Sequence, residues 1–461
     1  MEKIDIENLD LRVLRRVKYN KAKENKFLPL YIKNNTLTIV KNKEILLESE
    51  EEIKFIYDKE LKIINIDSES VSELIFRGFI GEKENLLSLI IKKAIIEKAS
   101  DIHFEPHKEE VFIRMRIDGK LSIYTKILHL EYQKLISKIK VLGNMDITEK
   151  RRPQDGKASM EVDNKNYDLR LSTIPIIYGE KLVIRILYND VFNHKLDELN
   201  MTSIQRNKLK KIISINNGLV LINGPTGSGK STTLYSILNE INNKEVNITT
   251  LEDPIEVFIE GINQVSLNKK ADITFASGLK SILRQDPDIL MVGEIRDEET
   301  ADIAVKASLT GHKVYSTIHT KTPKDVYFRL EDMGIKSYLI KDSLVGIISQ
   351  RLIRILCNKC KRVEKQMTYQ GKNIDIYKSE GCSFCNYTGY KGRKLVSSVV
   401  YVNEEIKKEN SIIFQEIRSL SNDEMVENLN ELIINGDISI EDFNSFLIEE
   451  GLNYEKNKII S

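Results

Sequence analysis

Residues 218–242 read GLVLINGPTGSGKSTTLYSILNEIN, and no other stretch restricts the fold so tightly. An apolar run enters a glycine-rich turn, and the turn enters a helix whose Leu234, Ile237, Leu238 and Ile241 recur at helical spacing. Glycines permit the conformations that aim successive N–H groups inward and let the main chain touch a phosphate. The loop comprises Gly224, Pro225, Thr226, Gly227, Ser228, Gly229, Lys230, Ser231 and Thr232. In such a loop the lysine reaches the β and γ phosphates and the Ser231 hydroxyl ligates Mg²⁺. The helix that follows adds its positive end. A nucleoside triphosphate site on a buried strand is the expectation.

Further short apolar runs at 219–222, 248–251, 289–292 and 314–318 predict strands buried on both faces, hence a parallel sheet with helices on both sides. Ligands sit at the carboxyl edge of such sheets. Three polar segments are expected there: 250–256 with Glu252 and Glu256, 288–297 with Glu294, and 311–319 with His312 and His319. Glu294 follows directly on ILMVG and is the expected group to orient and polarise a water for phosphoryl transfer. Glu252 and Glu256 are candidates for the metal's water shell. His319 could sense a γ-phosphate or bond a carboxylate, and His312 is equally well read as a structural histidine.

With 461 residues, 41% of them hydrophobic and 30% charged, the chain can build about three packed domains. A formal net charge of +1 argues against bulk nucleic-acid binding. The N-terminus, MEKIDIENLDLRVLRR, lacks secretory-signal character, and no run of about 18 apolar residues predicts a membrane span. All four cysteines lie in two CxxC pairs, Cys357/Cys360 and Cys382/Cys385. Four thiolates so paired close a tetrahedral structural Zn²⁺ site, although the spacer slightly exceeds the usual zinc-ribbon window.

Before the phosphate loop, residues 1–80 predict a small α/β domain with strands near 28–32, 36–40 and 62–66. A polar break at 67–70 and a charged stretch at 81–85 mark its end. Residues 86–190 predict a second domain: a helix from 86, a hairpin turning at Asp118-Gly119, and strands at 167–173 and 180–187. Residues 191–200 are polar and read as a linker. The core is then expected at 201–356, the metal subdomain at 357–400 and a helical tail at 401–461, where Ser439 and Asp442 form a helix-start signal.

The motifs resemble a known family, the secretion ATPases of type II secretion and type IV pilus assembly. ASDIHFEP (99–106), RMRIDGKL (114–121), RRPQDGK (151–157) and DLRLSTIPIIYGEKLVIRIL (168–187) look like its N-terminal half. GPTGSGKS, LEDPIE, SILRQDPDILMVGEIRD and LTGHKVYSTIHT resemble its Walker A, Asp, Walker B and His boxes. QRLIRILC and GCSFCNYTGYKGR resemble the flanks of its zinc site, which retraction members lack. The resemblance implies a RecA-like P-loop core preceded by smaller, PAS-like α/β domains. It implies ATP, Mg²⁺ and Zn²⁺, a homo-hexamer, and a cytoplasmic place beneath the membrane. It implies an inner-membrane platform protein and cytoplasmic assembly proteins as partners. It makes Glu294 the catalytic carboxylate, puts Glu252 and Glu256 in the Asp box, and has Arg170 and Arg185 supply charge to the γ-phosphate, with Arg114 and Arg116 as further candidates.

Two departures stand out. Ser398 occupies a position where the family usually has an acid, and no Arg-Leu-Gly motif for cyclic di-GMP appears near the N-terminus. The reading is therefore an ATP-hydrolysing motor that assembles pili or secretion pseudopili, with no cyclic di-GMP, no nucleic acid and no membrane insertion. It prefers pilus extension. Its competitors are a nucleic-acid-driven motor and an ATP-binding scaffold without turnover.

Overall fold

A computed structural model describes residues 8–43, 48–188, 195–369, 372–403 and 413–452. The chain divides into two compact units, Met1–Tyr188 and Asn189–Ser461.

The first unit contains two cores. Strands β1 (Phe27–Lys33), β2 (Thr36–Asn42) and β3 (Glu60–Ile66) form a three-stranded sheet, antiparallel between β1 and β2 and parallel between β2 and β3. The helix Ser68–Phe79 buries Val71, Leu74, Ile75 and Phe79 against this sheet's core. The polar residues at 67–70 are not a boundary. Asp67 is the helix N-cap, accepting the Ser70 N–H at 2.8 Å.

The second core sits under a six-stranded antiparallel sheet: β4 (Asp101–Pro106), β5 (Val111–Ile117), β6 (Lys120–Ile127), β7 (Gln154–Val162), β8 (Lys165–Ile176) and β9 (Gly179–Leu187). Their order is β6-β5-β4-β9-β8-β7. Asp118 and Gly119 both have positive φ, 50° and 83°, so the β5–β6 turn takes the form that Asp-Gly favours. The helices Leu86–Ile96 and His129–Leu142 contribute Ile90, Ile91, Leu135 and Ile139 to the core beneath Ile102, Phe104, Ile113 and Ile184. Side chains alternate along a strand, so Asp101, His103 and Glu105 take the opposite face.

In the second unit, β10 (Gly218–Asn223), β11 (Ile248–Glu252), β12 (Asn263–Ser266), β13 (Ile289–Val292), β14 (Lys313–Ile318) and β15 (Leu344–Leu356) form a parallel sheet. A hairpin of β16 (Lys361–Tyr369) and β17 (Lys372–Ser379) follows, and β18 (Tyr390–Tyr401) returns antiparallel along β15. The sheet order is β12-β11-β13-β14-β10-β15-β18. Alternation places Leu219 and Leu221 of β10 in one core and Val220 and Ile222 in the core on the other face. Each such buried Leu or Ile contributes roughly 1.5–3 kcal/mol.

Two expected boundaries move. Residues 191–194 of the supposed linker lie outside the described residues. The rest of it is docked: Leu196 is buried in a core, and the Asn200 amide donates to the Leu395 carbonyl at 2.9 Å. The metal segment ends before 390, because β18 completes the main sheet. Ser398 is wholly buried there. An acid is nonetheless present: Glu424, from the helix Ile413–Ile434, accepts the Val399 N–H at 2.7 Å and pairs with Lys208.

Candidate nucleotide and metal sites

The phosphate loop leaves β10 at its carboxyl end and closes onto the helix Lys230–Ile241. Gly224, Gly227 and Gly229 have φ of 152°, 78° and 88°, conformations closed to most side chains. A Cβ at Gly224 would come within 2.5 Å of the Gln350 carbonyl oxygen, so the loop's close approach to β15 also demands glycine. The Gln350 amide donates to the Ser228 carbonyl at 2.9 Å and clamps the loop from that strand. Lys230 donates to the carbonyls of Gly224 and Pro225 at 2.8 and 3.0 Å. Burial pushes its pKa below the usual lysine value; Glu294 opposes the shift and Arg351 adds to it. The buried Ser228 hydroxyl has no partner among the described residues, so the cradle keeps an uncommitted polar group.

Glu294 follows the end of β13. Its turn is fixed from β14: Thr317 Oγ1 donates to the Gly293 carbonyl at 2.7 Å, and Ile295 N–H to the Thr317 carbonyl at 2.9 Å. The side chain is 12% exposed. Arg296 pairs with Oε1, while Oε2 meets only His319 Nε2, at 3.4 Å, and makes no proper hydrogen bond. Burial, then Lys230, pull the His319 pKa below the usual imidazole value.

Glu252 differs. It is 5% exposed, and its oxygens accept from Tyr235 OH, from Thr250 Oγ1 at 2.5 Å and from Gln264 Nε2 at 3.2 Å. Tyr235 lies on the phosphate-loop helix, so Glu252 ties that helix to β11. A carboxylate committed in this way is poorly placed to serve a metal's water shell. Glu256 is half-buried in the following loop, where its N–H contacts Tyr235 OH at 3.4 Å. His312 precedes β14 at its amino end, level with Gly218, and its Nδ1 lies 3.1 Å from the Ala307 carbonyl oxygen. It is on the edge opposite His319.

In the first unit, a row of paired positions crosses the sheet: Arg116, Asp101, Arg185, Arg170 and Lys157. Asp101 bonds Arg185 Nε at 2.9 Å and lies 3.5 Å from Arg116 Nε. Glu105 bonds Arg114 at 3.1 Å and Lys181 at 2.8 Å. Burial alone would raise the Asp101 carboxyl, yet hydrogen bonds from Arg185 and Ser100 hold it low. Arg170 stands directly opposite Arg185 and pairs with no acid among the described residues. These roles of Asp101 and Glu105 are not readable from local spacing, because their partners lie on other strands.

The four cysteine sulfurs lie within 4.8 Å of one another, with separations of 3.9 Å (Cys357–Cys382), 3.8 Å (Cys360–Cys385) and 3.8 Å (Cys382–Cys385). Sulfurs about 2.3 Å from a tetrahedral zinc would be about 3.8 Å apart, so the cluster fits that ion. N–H groups of Cys382 and Gly389 point at Cys385 Sγ, 3.2 and 3.3 Å away, as stabilised thiolates require. The β16–β17 hairpin fills the spacer between the CxxC turns and explains its length.

Residues 80–445 match the Type II/IV secretion system protein family. The chain belongs to that family. Among relatives of this secretion-family chain, type II secretion system protein E of Aeromonas hydrophila is 45% identical over 331 residues, 70% of this chain and 66% of that one. The type IV pilus assembly ATPase PilB of Thermus thermophilus is 42% identical over 336 residues, 70% of this chain and 38% of that one. The chain thus spans about two thirds of the first relative's length. Among solved structures, the Legionella pneumophila ATPase DotB superposes with a TM-score of 0.61 at 21% identity, covering 79% of this chain and 95% of that one. The pilus retraction motor PilT with bound ADP superposes at 0.52 and 26%, covering 77% and 95%. No helix among the described residues is long and apolar enough to cross a membrane.

Proposed function

We propose that this family member hydrolyses ATP and, as a homo-hexamer at the cytoplasmic face of a membrane, drives a platform protein that assembles a pilin-like fibre. The observation that carries the chemistry is the buried, unsatisfied Oε2 of Glu294 beside the phosphate loop. The loop amides and Lys230 hold the β and γ phosphates. Mg²⁺ supplies charge neutralisation when bound, and Ser231 is the ligand the loop offers it. Glu294 orients the attacking water and takes its proton while the oxygen bonds the γ-phosphorus and the bond to ADP breaks. Glu252 positions the loop helix through Tyr235, and Glu256 remains a candidate for the metal's water shell. His319, 3.4 Å from Glu294 Oε2, is placed to sense the γ-phosphate. Arg170 of a neighbouring copy offsets the charge on the transferred group, a task that suits a permanently charged, planar guanidinium, while Arg185, held by Asp101, stands opposite it as the second candidate.

The names of the relatives support the motor reading, and the tetracysteine cluster supports a structural Zn²⁺. The test is Mg-ATP binding and turnover by the zinc-loaded full chain and by Lys230→Ala. Turnover by the wild type that disappears in the variant is the expected result. Hydrolysis that survives Lys230→Ala would remove the phosphate loop from the reaction. Co-purification with the platform protein tests the motor's placement.

A further inference from the structure

Arg351 is a buried cation behind the phosphate loop. It lies on β15 next to Gln350, the residue that clamps the phosphate loop, and its side chain is 6% exposed. Its Nη1 donates to the Gln350 carbonyl at 2.9 Å. Its Nη2 donates at 2.7 Å to the carbonyl of Lys321, two residues beyond His319. The fork is completed by Glu450, the last residue of the helix Ile440–Glu450, at 2.7 Å on Nε and 2.6 Å on Nη2. One guanidinium thus fixes the phosphate-loop clamp and the segment behind His319, and one carboxylate fixes the guanidinium.

The helix carrying Glu450 is anchored at its other end as well. Ser439 caps it, and Asp442 in its first turn accepts Tyr390 OH at 2.9 and 3.0 Å. Tyr390 begins β18, one residue after Gly389, whose carbonyl accepts the Cys357 N–H at 2.8 Å. The helix, with Phe443 and Leu447 fully buried, is therefore a short strut between the edge of the cysteine cluster and the phosphate loop. A buried ion pair is an expensive way to seat a helix end, since well-packed apolar residues serve as well or better. What the guanidinium adds is direction: fixed donors to a carboxylate and two carbonyls at once.

We infer that Arg351 and Glu450 are positioning residues for the nucleotide: the helix Ile440–Glu450 holds the phosphate loop in its binding shape through Glu450, Arg351 and Gln350. The inference rests on the reading of the phosphate loop as a nucleotide site. Neither side chain bonds the phosphate loop directly; Glu450 acts through Arg351, and Arg351 through Gln350.

A double-mutant cycle on Mg-ADP affinity, measured by titration with a fluorescent ADP in the zinc-loaded full chain, tests the inference. Glu450→Gln is expected to weaken Mg-ADP about threefold to tenfold in the wild type. In a Gln350→Ala background, where the clamp is already gone, it should weaken binding by less than about twofold. Arg351→Lys, which keeps the charge and loses the fork, should reproduce the Glu450→Gln loss and serves if that variant does not fold. Equal fold-losses in both backgrounds, or unchanged affinity in a folded Glu450→Gln protein, would overturn the inference. Wild-type protein that takes up no Mg-ADP would overturn it together with the nucleotide reading, an outcome visible in the first titration of the series.

Discussion

Glu252 and Glu294 stand at the carboxyl ends of neighbouring strands, β11 and β13, and both are largely buried. The resemblance in position hides opposite chemistry. The Glu252 region is saturated: every oxygen has a donor, and the donors come from the loop helix, the strand itself and β12. The Glu294 region is left incomplete, with one oxygen held by Arg296 and the other uncommitted. A buried charge that is fully bonded fixes structure, because removing its partners leaves a costly orphan. A buried carboxylate left partly bonded calls for a partner, and in the proposed reaction the attacking water is that partner. The same distinction runs across the sheet face of the first unit, where Asp101 and Glu105 hold Arg185, Arg116 and Arg114 while Arg170 pairs with no acid among the described residues.

The largest expected effect extends that distinction to the arginines. Arg170→Ala should lower turnover by about 10³-fold or more, with nucleotide affinity and melting temperature little changed. If Arg114→Ala costs as much, pairing with an acid does not separate the roles of these arginines. Zinc removal comes next. A strong chelator should release the metal and lower the melting temperature, because thiolate–zinc binding contributes to folding directly. Scanning calorimetry with and without added zinc reads the effect. Unchanged melting would exclude a structural metal.

Glu252→Gln sharpens the carboxylate comparison. It should destabilise the second unit by about 1–3 kcal/mol in denaturant unfolding, while turnover stays within about tenfold of wild type.

The phosphate loop, the Asp-Gly hairpin and the two CxxC turns were legible because each is a local pattern in which spacing dictates geometry. The parallel strands β10, β11, β13 and β14 were legible from their unbroken apolar runs, and the Ser439 cap from its partner three residues on, whereas β12 and β15 were not singled out. The clamp and the strut were not. Gln350 meets Ser228 across 122 positions and Arg351 meets Glu450 across 99, so nothing in the surrounding sequence announces either pairing. The helix cap at Asp67 was misread as a break because a polar N-cap and a polar linker share residue types. The placement of His312 was missed for a different reason: a strand that starts and ends with histidine does not say which end faces the ligand, and sheet topology decides it.

The smallest effect concerns pH. His319 has a folded-state pKa below 6.5, so the unfolded chain takes up this proton first on acidification. Its contribution to stability is complete above about pH 6.5 and is lost as the pH falls from there to the folded value. Thermal unfolding at pH 7.5 and 5.5 should show a smaller difference in His319→Gln than in the wild type.

The most direct measurement follows bound ATP through a single turnover in Glu294→Gln and Glu252→Gln side by side. Both variants are expected to bind Mg-ATP. Glu294→Gln should then hold it uncleaved, with a rate reduced by about 10²–10⁴, while Glu252→Gln converts it at close to the wild-type rate. Equal rates in the two variants, or faster cleavage by Glu294→Gln, would contradict the assignment of the chemistry to the unsatisfied carboxylate.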